Sequence, residues 1–340
     1  MVPKGRLQPE VGGLTVVSRV TSRALHSSIS DARVDLDDLL QKTSRTFALA
    51  IPLLPEPTRK AVSVAYLLFR VADTFEDATT WPREDRIDAL ESFVDLLELP
   101  LAQRRVEAKA RSAKWLERPP VTHEGYLELL AELPGVLGAL DELSTSVSAL
   151  VVKHTIRTTE GMASVVARAD ERGNLRVASV RELKDYCYIV AGIVGELLTD
   201  LFLHDCASLE TQRSELERLM RAFGEGLQLV NILKDVDDDA GDGRVYLPTA
   251  VPRSELFALA RADLEDANRY VQALQKGGAP RGFLAFTGLS LVLAFAALDR
   301  LEADGAGAKV SRPEVMNLFQ ALEKDLDAGV ALDLRQSARV

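Results

Sequence analysis

The stretch that most limits what this chain can become is Gln228–Asp239, an apolar helical segment that turns abruptly acidic. On a helix, Gln228, Asn231, Asp235 and Asp239 fall three, four and four residues apart and share one face. Asp235 and Asp239 are then like charges one turn apart, a cost of a few tenths of a kcal/mol in an isolated helix. Burying them without partners would cost several kcal/mol more. Such a stripe is either left wet at a helix end or given a cation. A hard divalent ion such as Mg²⁺, held by a few carboxylates, water and phosphate oxygens, suits these ligands.

A second acidic stripe lies far upstream. Tyr66, Arg70, Asp73 and Asp77 share a helix face at steps of four, three and four, with Glu76 beside them. Two readings stand side by side. In one, each stripe is a solvated helix terminus and Arg70 makes an ordinary surface salt bridge worth under ~1 kcal/mol. In the other, the stripes are two metal-binding walls facing each other across a cavity, and Arg70 meets a diphosphate or carboxylate. Tyr66 and Tyr186 read equally well as core tyrosines with a bonded hydroxyl. Cys187 reads as a small buried hydrophobe.

The net charge of −10 argues against nucleic acid as a partner, since phosphate backbones call for a basic surface. Small anionic ligands respond to the local field and are not excluded by it. Two cysteines and four scattered histidines give neither a zinc spacing nor a disulfide framework, which fits a reduced, cytoplasmic setting. The apolar run 283–298 is interrupted by Thr287, Gly288 and Ser290 and reads as a buried helix shorter than a membrane span. Residues 1–30 carry four basic residues against one acid without the apolar core of a secretory signal. They are expected to form a flexible tail ahead of one helical domain over 31–330.

From Asp31 on, apolar residues recur at helical spacing and nothing resembles a β-hairpin. Helices are expected at 31–42, from 56 or 57 to the first acidic stripe, and from the Trp81-Pro82 turn to about 99, where Pro100 stops the run. The charged segment 104–120, ending in Pro119-Pro120, reads as a solvated connection. Further helices are expected at 123–133 and, with breaks, 134–169. Ser179 opens another, whose Ala191, Gly192 and Gly195 would admit a close neighbour. One continuous helix over 215–239 carries the second stripe. Ser254 is expected to cap the next, 255–274. A break at Gly277–Pro280, an apolar helix to about 303 and a last helix at 312–326 complete one all-α domain.

Taken together, these motifs resemble the squalene/phytoene synthase family, the head-to-head isoprenyl diphosphate synthases, over about 31–326. Ser44-Arg45-Thr46-Phe47 resembles its S-R-[ST]-F box, and Tyr66, Arg70 and Asp73–Asp77 resemble its D-x-x-E-D motif. Tyr186–Gly195 is similar to its Y-C-x-x-V-A-G-x-V-G segment. Gln228, Asn231, Asp235 and Asp239 resemble its second acidic motif, and Arg244–Pro248 the segment after it. Each motif alone is weak, and five in order are specific. The sequence departs from the family pattern at Lys234, where an arginine is usual, and at Ile189, where many members carry an aromatic residue.

The resemblance implies an isoprenoid-synthase-type bundle around a central cavity. It implies that Asp73, Glu76, Asp77, Asp235 and Asp239 hold Mg²⁺. Arg45, Tyr66, Arg70, Gln228, Asn231, Lys234 and Arg244 would bind the substrate diphosphates. Tyr186 would stabilise a cation or handle a proton alongside the acids Asp73, Asp77, Asp235 and Asp239. Ser44, Phe47 and Asn231 would contact NADPH. Within the family the chain leans toward squalene formation from two farnesyl diphosphates through presqualene diphosphate. The alternative is a phytoene or dehydrosqualene synthase, which ends by losing a proton. The expected protein is a monomer without a transmembrane anchor, touching membranes peripherally to release product. A non-catalytic helical partner subunit would be expected to have lost acids from one motif, yet both are intact. A class I cyclase would carry Asn-Ser/Thr-Glu, absent after Asn231.

Overall fold

In the computed structural model, which describes residues 34–44, 46–170 and 173–338, almost every element is a helix, as the apolar spacing requires. Helix α1 (Leu36–Thr43) begins where the Asp35 carboxylate accepts from the Asp38 amide. Helix α2 (Phe47–Ala50) runs into a 3₁₀ turn, Ile51–Leu53. Past two prolines comes α3 (Thr58–Glu76), which Pro57 precedes. Residues Val64, Leu67, Leu68, Val71, Ala72 and Phe75 of α3 are all inaccessible to solvent, so this helix lies at the centre of the bundle. Helix α4 (Arg83–Glu98) ends ahead of Pro100, as expected.

The segment expected to be a solvated connection is instead helix α5 (Leu101–Glu117). Its buried stripe is Arg104, Ala108, Ser112 and Trp115, at steps of four, four and three. A charged residue opens that stripe, which hides it from a search for apolar periodicity. Arg104 is buried because its guanidinium donates to the carbonyls of Leu97 (2.8 Å) and Leu99 (3.1 Å). Helices α6 (Glu124–Ala131), α7 (Leu133–Asp141) and α8 (Thr145–Ala167) come next.

Ser179 caps α9 (Val180–Cys187) by accepting from the Glu182 amide. A single π turn, Tyr188–Gly192, joins α9 to α10 (Ile193–Asp205). The small residues here do admit a neighbour: a side-chain carbon on Gly195 would overlap the Met220 carbonyl oxygen of α11 (Arg213–Lys234). The second acidic stripe is not one unbroken helix. Asp235 leaves helical geometry (φ −98°, ψ 17°), and α12 (Val236–Gly241) restarts after it. The spacing of the stripe survives, because Asp235 N bonds to Asn231 O (2.9 Å) and Asp239 N to Asp235 O (2.8 Å).

A two-residue parallel pair, β1 (Leu175–Arg176) with β2 (Arg244–Val245), fixes the chain on leaving α12. Helix α13 (Arg253–Lys276) starts directly after Pro252, so Ser254 lies inside the first turn and caps nothing. Helix α14 (Arg281–Asp304) is apolar, and α15 (Arg312–Ala328) opens on a Ser311–Glu314 capping box before a short α16 (Leu334–Ser337). Among the described residues two helical stretches, Val180–Asp205 and Arg281–Asp304, are long and apolar enough to cross a membrane, and each is mostly buried within the bundle. The apolar run of α14 thus extends beyond the length expected from sequence.

Candidate functional site

Helices α3 and α11 form two sides of one cavity, with α2, the 3₁₀ turn after it, α10, α14 and the π turn supplying the rest. Tyr66, Arg70 and Asp73 come to it from the first acidic stripe, and Gln228 and Asn231 from the second. Beyond these polar groups the lining is apolar: Val62, Phe69, Val194, Leu198, Leu201 and Phe286 are among it. The cavity has a volume of about 190 Å³. Polar at one end and apolar beyond, its lining has the character of a site for an apolar ligand with a polar head.

Arg70 is held on three sides. Its guanidinium lies 3.2 Å from Asp73 Oδ2 and donates to the Tyr66 hydroxyl (3.2 Å), which in turn donates to the Thr43 carbonyl (3.0 Å). Burial works against its charge, but Asp73, Tyr66 and Tyr126 more than compensate, so its pKa is raised. The same burial pushes Asp73 up to about 6, against the pull of Arg70.

Arg244 joins the two acidic motifs. It pairs with Asp77 at the end of α3, and with Asp239 (3.4 Å) and Asp242 (3.2 Å) after α11. Burial and the neighbouring acids push Asp239 up to about 6 in spite of it. Lys234 lies at the edge of the second motif, 3.1 Å from Asn231 Oδ1 and 3.2 Å from Asp235 Oδ2. One acid from each stripe, Asp77 and Asp239, is thus bridged by a single guanidinium, and of the five acids Asp73 is the one that lines the cavity.

Glu76 is not among the cavity-lining residues. It is buried, and burial, with Asp77 next to it, raises its pKa strongly. Buried Arg86 donates to its backbone carbonyl. The Tyr186 hydroxyl donates to that of Tyr246 (3.0 Å), and the two rings stack at 4.4 Å. Burial and the charge of Glu76 raise both hydroxyls well above their usual range. Tyr186 is thus in the shell behind the acids and does not line the cavity either. Of the residues expected to contact NADPH, Phe47 and Asn231 line the cavity, whereas the Ser44 hydroxyl accepts from the Phe47 amide (3.0 Å) and steadies α2. Arg45 lies outside the described residues.

Among the described residues no three His, Cys, Asp or Glu side chains are gathered into a metal cage. The donors still fit magnesium. Asp73 and Asp239 are hard carboxylates, raised chiefly by burial and only partly held down by Arg70 and Arg244, so a cation would be welcome beside them. Mg²⁺ takes one or two such carboxylates and fills its other positions with water and phosphate oxygens.

A profile of the squalene/phytoene synthases matches residues 40–256. The chain belongs to the squalene/phytoene synthase family. A relative in this family, the squalene synthase of Schizosaccharomyces pombe, is 29% identical over 213 residues, 63% of this chain and 43% of that protein. The matched stretch is thus under half of the relative's length. The structure of TcSQS with the ligand E5700 superposes with a TM-score of 0.69 at 23% identity, over 90% of this chain and 91% of that one. A dehydrosqualene synthase in complex with ligand gives 0.53 at 16%, over 92% and 99%. At those identities the likeness is one of fold, and it agrees with the family's all-α architecture.

Three parts of the site were not among the site residues expected from sequence. Tyr126 of α6 touches Arg70, Arg86 of α4 backs Glu76, and the π turn presents Val190 and Ala191 to the cavity. No local pattern announces the first two, since each is a lone residue on another helix. The π turn falls in the glycine-rich run that the sequence did mark.

Proposed function

We propose that the chain is a magnesium-dependent prenyltransferase that joins two farnesyl diphosphates head to head, through presqualene diphosphate to squalene, with NADPH as reductant. The observation carrying this reading is the cavity itself: basic, acidic and amide side chains from both acidic motifs at one end, and hydrocarbon beyond. Squalene synthase relatives give the same direction.

Ionising an allylic diphosphate leaves a carbocation and puts growing negative charge on the departing oxygens. Arg70, Arg244 and Lys234 are the cations around that end of the cavity, and Gln228 and Asn231 add amide contacts. Magnesium, held by Asp73, Asp77, Asp235 and Asp239 with Glu76 behind them, would supply Lewis-acid stabilisation of the leaving pyrophosphate. The apolar lining from Val62 to Phe286 keeps water from the cation. In the first half-reaction a cyclopropane forms as one pyrophosphate and one proton leave. In the second the remaining pyrophosphate leaves; NADPH, where bound, would supply the hydride that closes the cation as squalene. Tyr186, coupled to Tyr246, is assigned proton handling from behind the acids. Ser44, Phe47 and Asn231 are assigned to NADPH: Phe47 and Asn231 line the cavity, and the Ser44 hydroxyl, which accepts from the Phe47 amide, still has its O–H to donate.

The protein is read as cytoplasmic and monomeric, meeting membranes peripherally to release a hydrocarbon. Incubation with farnesyl diphosphate and Mg²⁺, with and without NADPH, tests the proposal by product analysis. Squalene should form only with NADPH, and chelation should stop turnover. A hydrocarbon unchanged by NADPH would replace squalene with dehydrosqualene or, from geranylgeranyl diphosphate, phytoene. No consumption of any allylic diphosphate would leave the partner-subunit reading.

A further inference from the structure

We propose that Tyr126 is a positioning residue for Arg70, and that it holds the guanidinium plane at the cavity mouth for a diphosphate. This rests on reading that mouth as the diphosphate site. The Arg70 guanidinium carbon lies 5.6 Å from the centre of the Tyr66 ring and 5.2 Å from that of Tyr126. Both distances fall within the range where a ring face attracts a cation. Tyr66 lines the cavity, whereas Tyr126 comes from α6 and is not among the lining residues. It therefore acts on a ligand only through Arg70.

Both rings are registered by the same short piece of backbone. Tyr66 donates to the carbonyl of Thr43, the last residue of α1. Next to Tyr126, Gly125 lies so close to the carbonyl of Lys42 that any side chain there would collide with it. Lys42 reaches across to Glu128 on the same helix α6 (2.8 Å). The C-terminal turn of α1 thus sets both aromatic faces, and His123, stacked on Tyr126 at 4.1 Å, supports the outer one. With both rings beside its guanidinium, the Tyr66 hydroxyl accepting from it and Asp73 on one edge, Arg70 is restrained at the mouth. Its planar fork is kept ordered before a ligand arrives, so less freedom is lost on binding.

The test is calorimetric binding of inorganic pyrophosphate with Mg²⁺ to the full chain and its variants at Tyr126 and Arg70, with thermal melts and the KM–kcat split for farnesyl diphosphate alongside. Tyr126→Phe keeps the ring and should bind within about twofold of the unmodified protein. Tyr126→Met fills the volume without an aromatic face and should weaken pyrophosphate roughly 3- to 30-fold, with a matching rise in KM and an unchanged melting temperature. Tyr126→Leu replaces it if the methionine variant does not fold. In an Arg70→Lys background the methionine substitution should cost less than twofold more, because no planar cation remains to position. Unchanged binding by the methionine or leucine variant overturns the inference, as does a phenylalanine variant weakened equally, or full additivity with Arg70→Lys. Failure of the unmodified protein to bind magnesium pyrophosphate overturns the diphosphate reading, and the inference with it.

Discussion

Gly224 of α11 lies so near the π turn that a side-chain carbon on it would overlap the carbonyl oxygen of Ala191. Both residues line the cavity, so this close approach closes its wall at that point. Gly224→Ala must push α11 off the π turn, an overpacking cost of about 1–3 kcal/mol or more. Chemical denaturation should show a clearly lower midpoint. Gly241→Ala is the control: nothing lies within 4 Å of a carbon placed there, and its midpoint should move by less than ~0.5 kcal/mol. Equal midpoints for the two variants would contradict the close approach.

The contact of Gly224 with Ala191 was half visible in the sequence. A run with Ala191, Gly192 and Gly195 announces that something packs closely, and it does. It does not say that the helix loosens to a π turn there, because one extra residue in a turn leaves no mark in composition. The acidic stripes were legible because period and charge coincide at Asp73, Asp77, Asp235 and Asp239. The bend at Asp235 was not legible, since it keeps the i,i+4 bonds on both sides and so leaves the spacing unchanged. Helix α5 was missed for a different reason: Arg104 is buried by donating to two carbonyls, and sequence treats it as solvated. Tyr126 and Arg86 reach the site only through tertiary packing, where a single residue carries no pattern at all.

Asp73 and Asp239 make stability depend on pH in a defined direction. Burial raises each above its ordinary value, to about 6, despite Arg70 and Arg244. Because the folded pKa exceeds the unfolded one, their contribution is complete below about pH 4 and is lost as pH rises through about 6. Asp73→Asn should flatten this slope and gain roughly 1–2 kcal/mol at pH 7.5, discounted from the full shift because 29% of the side chain remains exposed. The same variant, and Asp235→Asn, should lose turnover while keeping the helical signature. Melts from pH 4 to 8 beside activity assays check this. Full activity in either variant would remove its carboxylate from the metal set, and a large loss of stability would make it structural.

Lys184 reconciles two buried carboxylates. Its ammonium lies 3.0 Å from Asp263 Oδ1 and 3.5 Å from Glu225 Oε2, and burial holds both acids above their usual range even so. Lys184→Met leaves them facing each other without a cation. Breaking a fully buried pair costs about 3–5 kcal/mol; with 38% of the lysine exposed, ~2 kcal/mol is expected at pH 8. Raised carboxylates lose their stabilising share as pH rises, so the deficit should shrink as pH falls toward 5 and the acids take up protons. Denaturant midpoints at the two pH values measure it. A deficit independent of pH would mean that the lysine stem, not its charge, is what matters.

Tyr188 opens the π turn and anchors it from the side away from the cavity. Its hydroxyl accepts from Arg157 (2.7 Å) and donates to Glu196 (3.1 Å), while Arg221 covers its ring at 4.6 Å. Glu196 is itself held by Arg157 (2.6 Å) and Arg221 (2.9 Å), so one carboxylate ties α8, α10 and α11 together behind Val190 and Ala191. On its other flank the turn is fixed by Ile189, seated against Gly161 with no room for a side chain between them. Tyr188→Phe deletes two bonds to charged groups, and each is worth about 1.5–3 kcal/mol at most. The loss should be local. Amides 189–193 are expected to exchange hydrogen about tenfold faster, the equivalent of ~1.4 kcal/mol in their opening equilibrium, while α13 exchanges as before. Gly161→Ala, pressing on Ile189 from the opposite side, should speed the same amides. If exchange in 189–193 is unmoved by both substitutions, the turn is held by its own backbone and by α11 alone, and the polar cluster has no part in shaping the cavity.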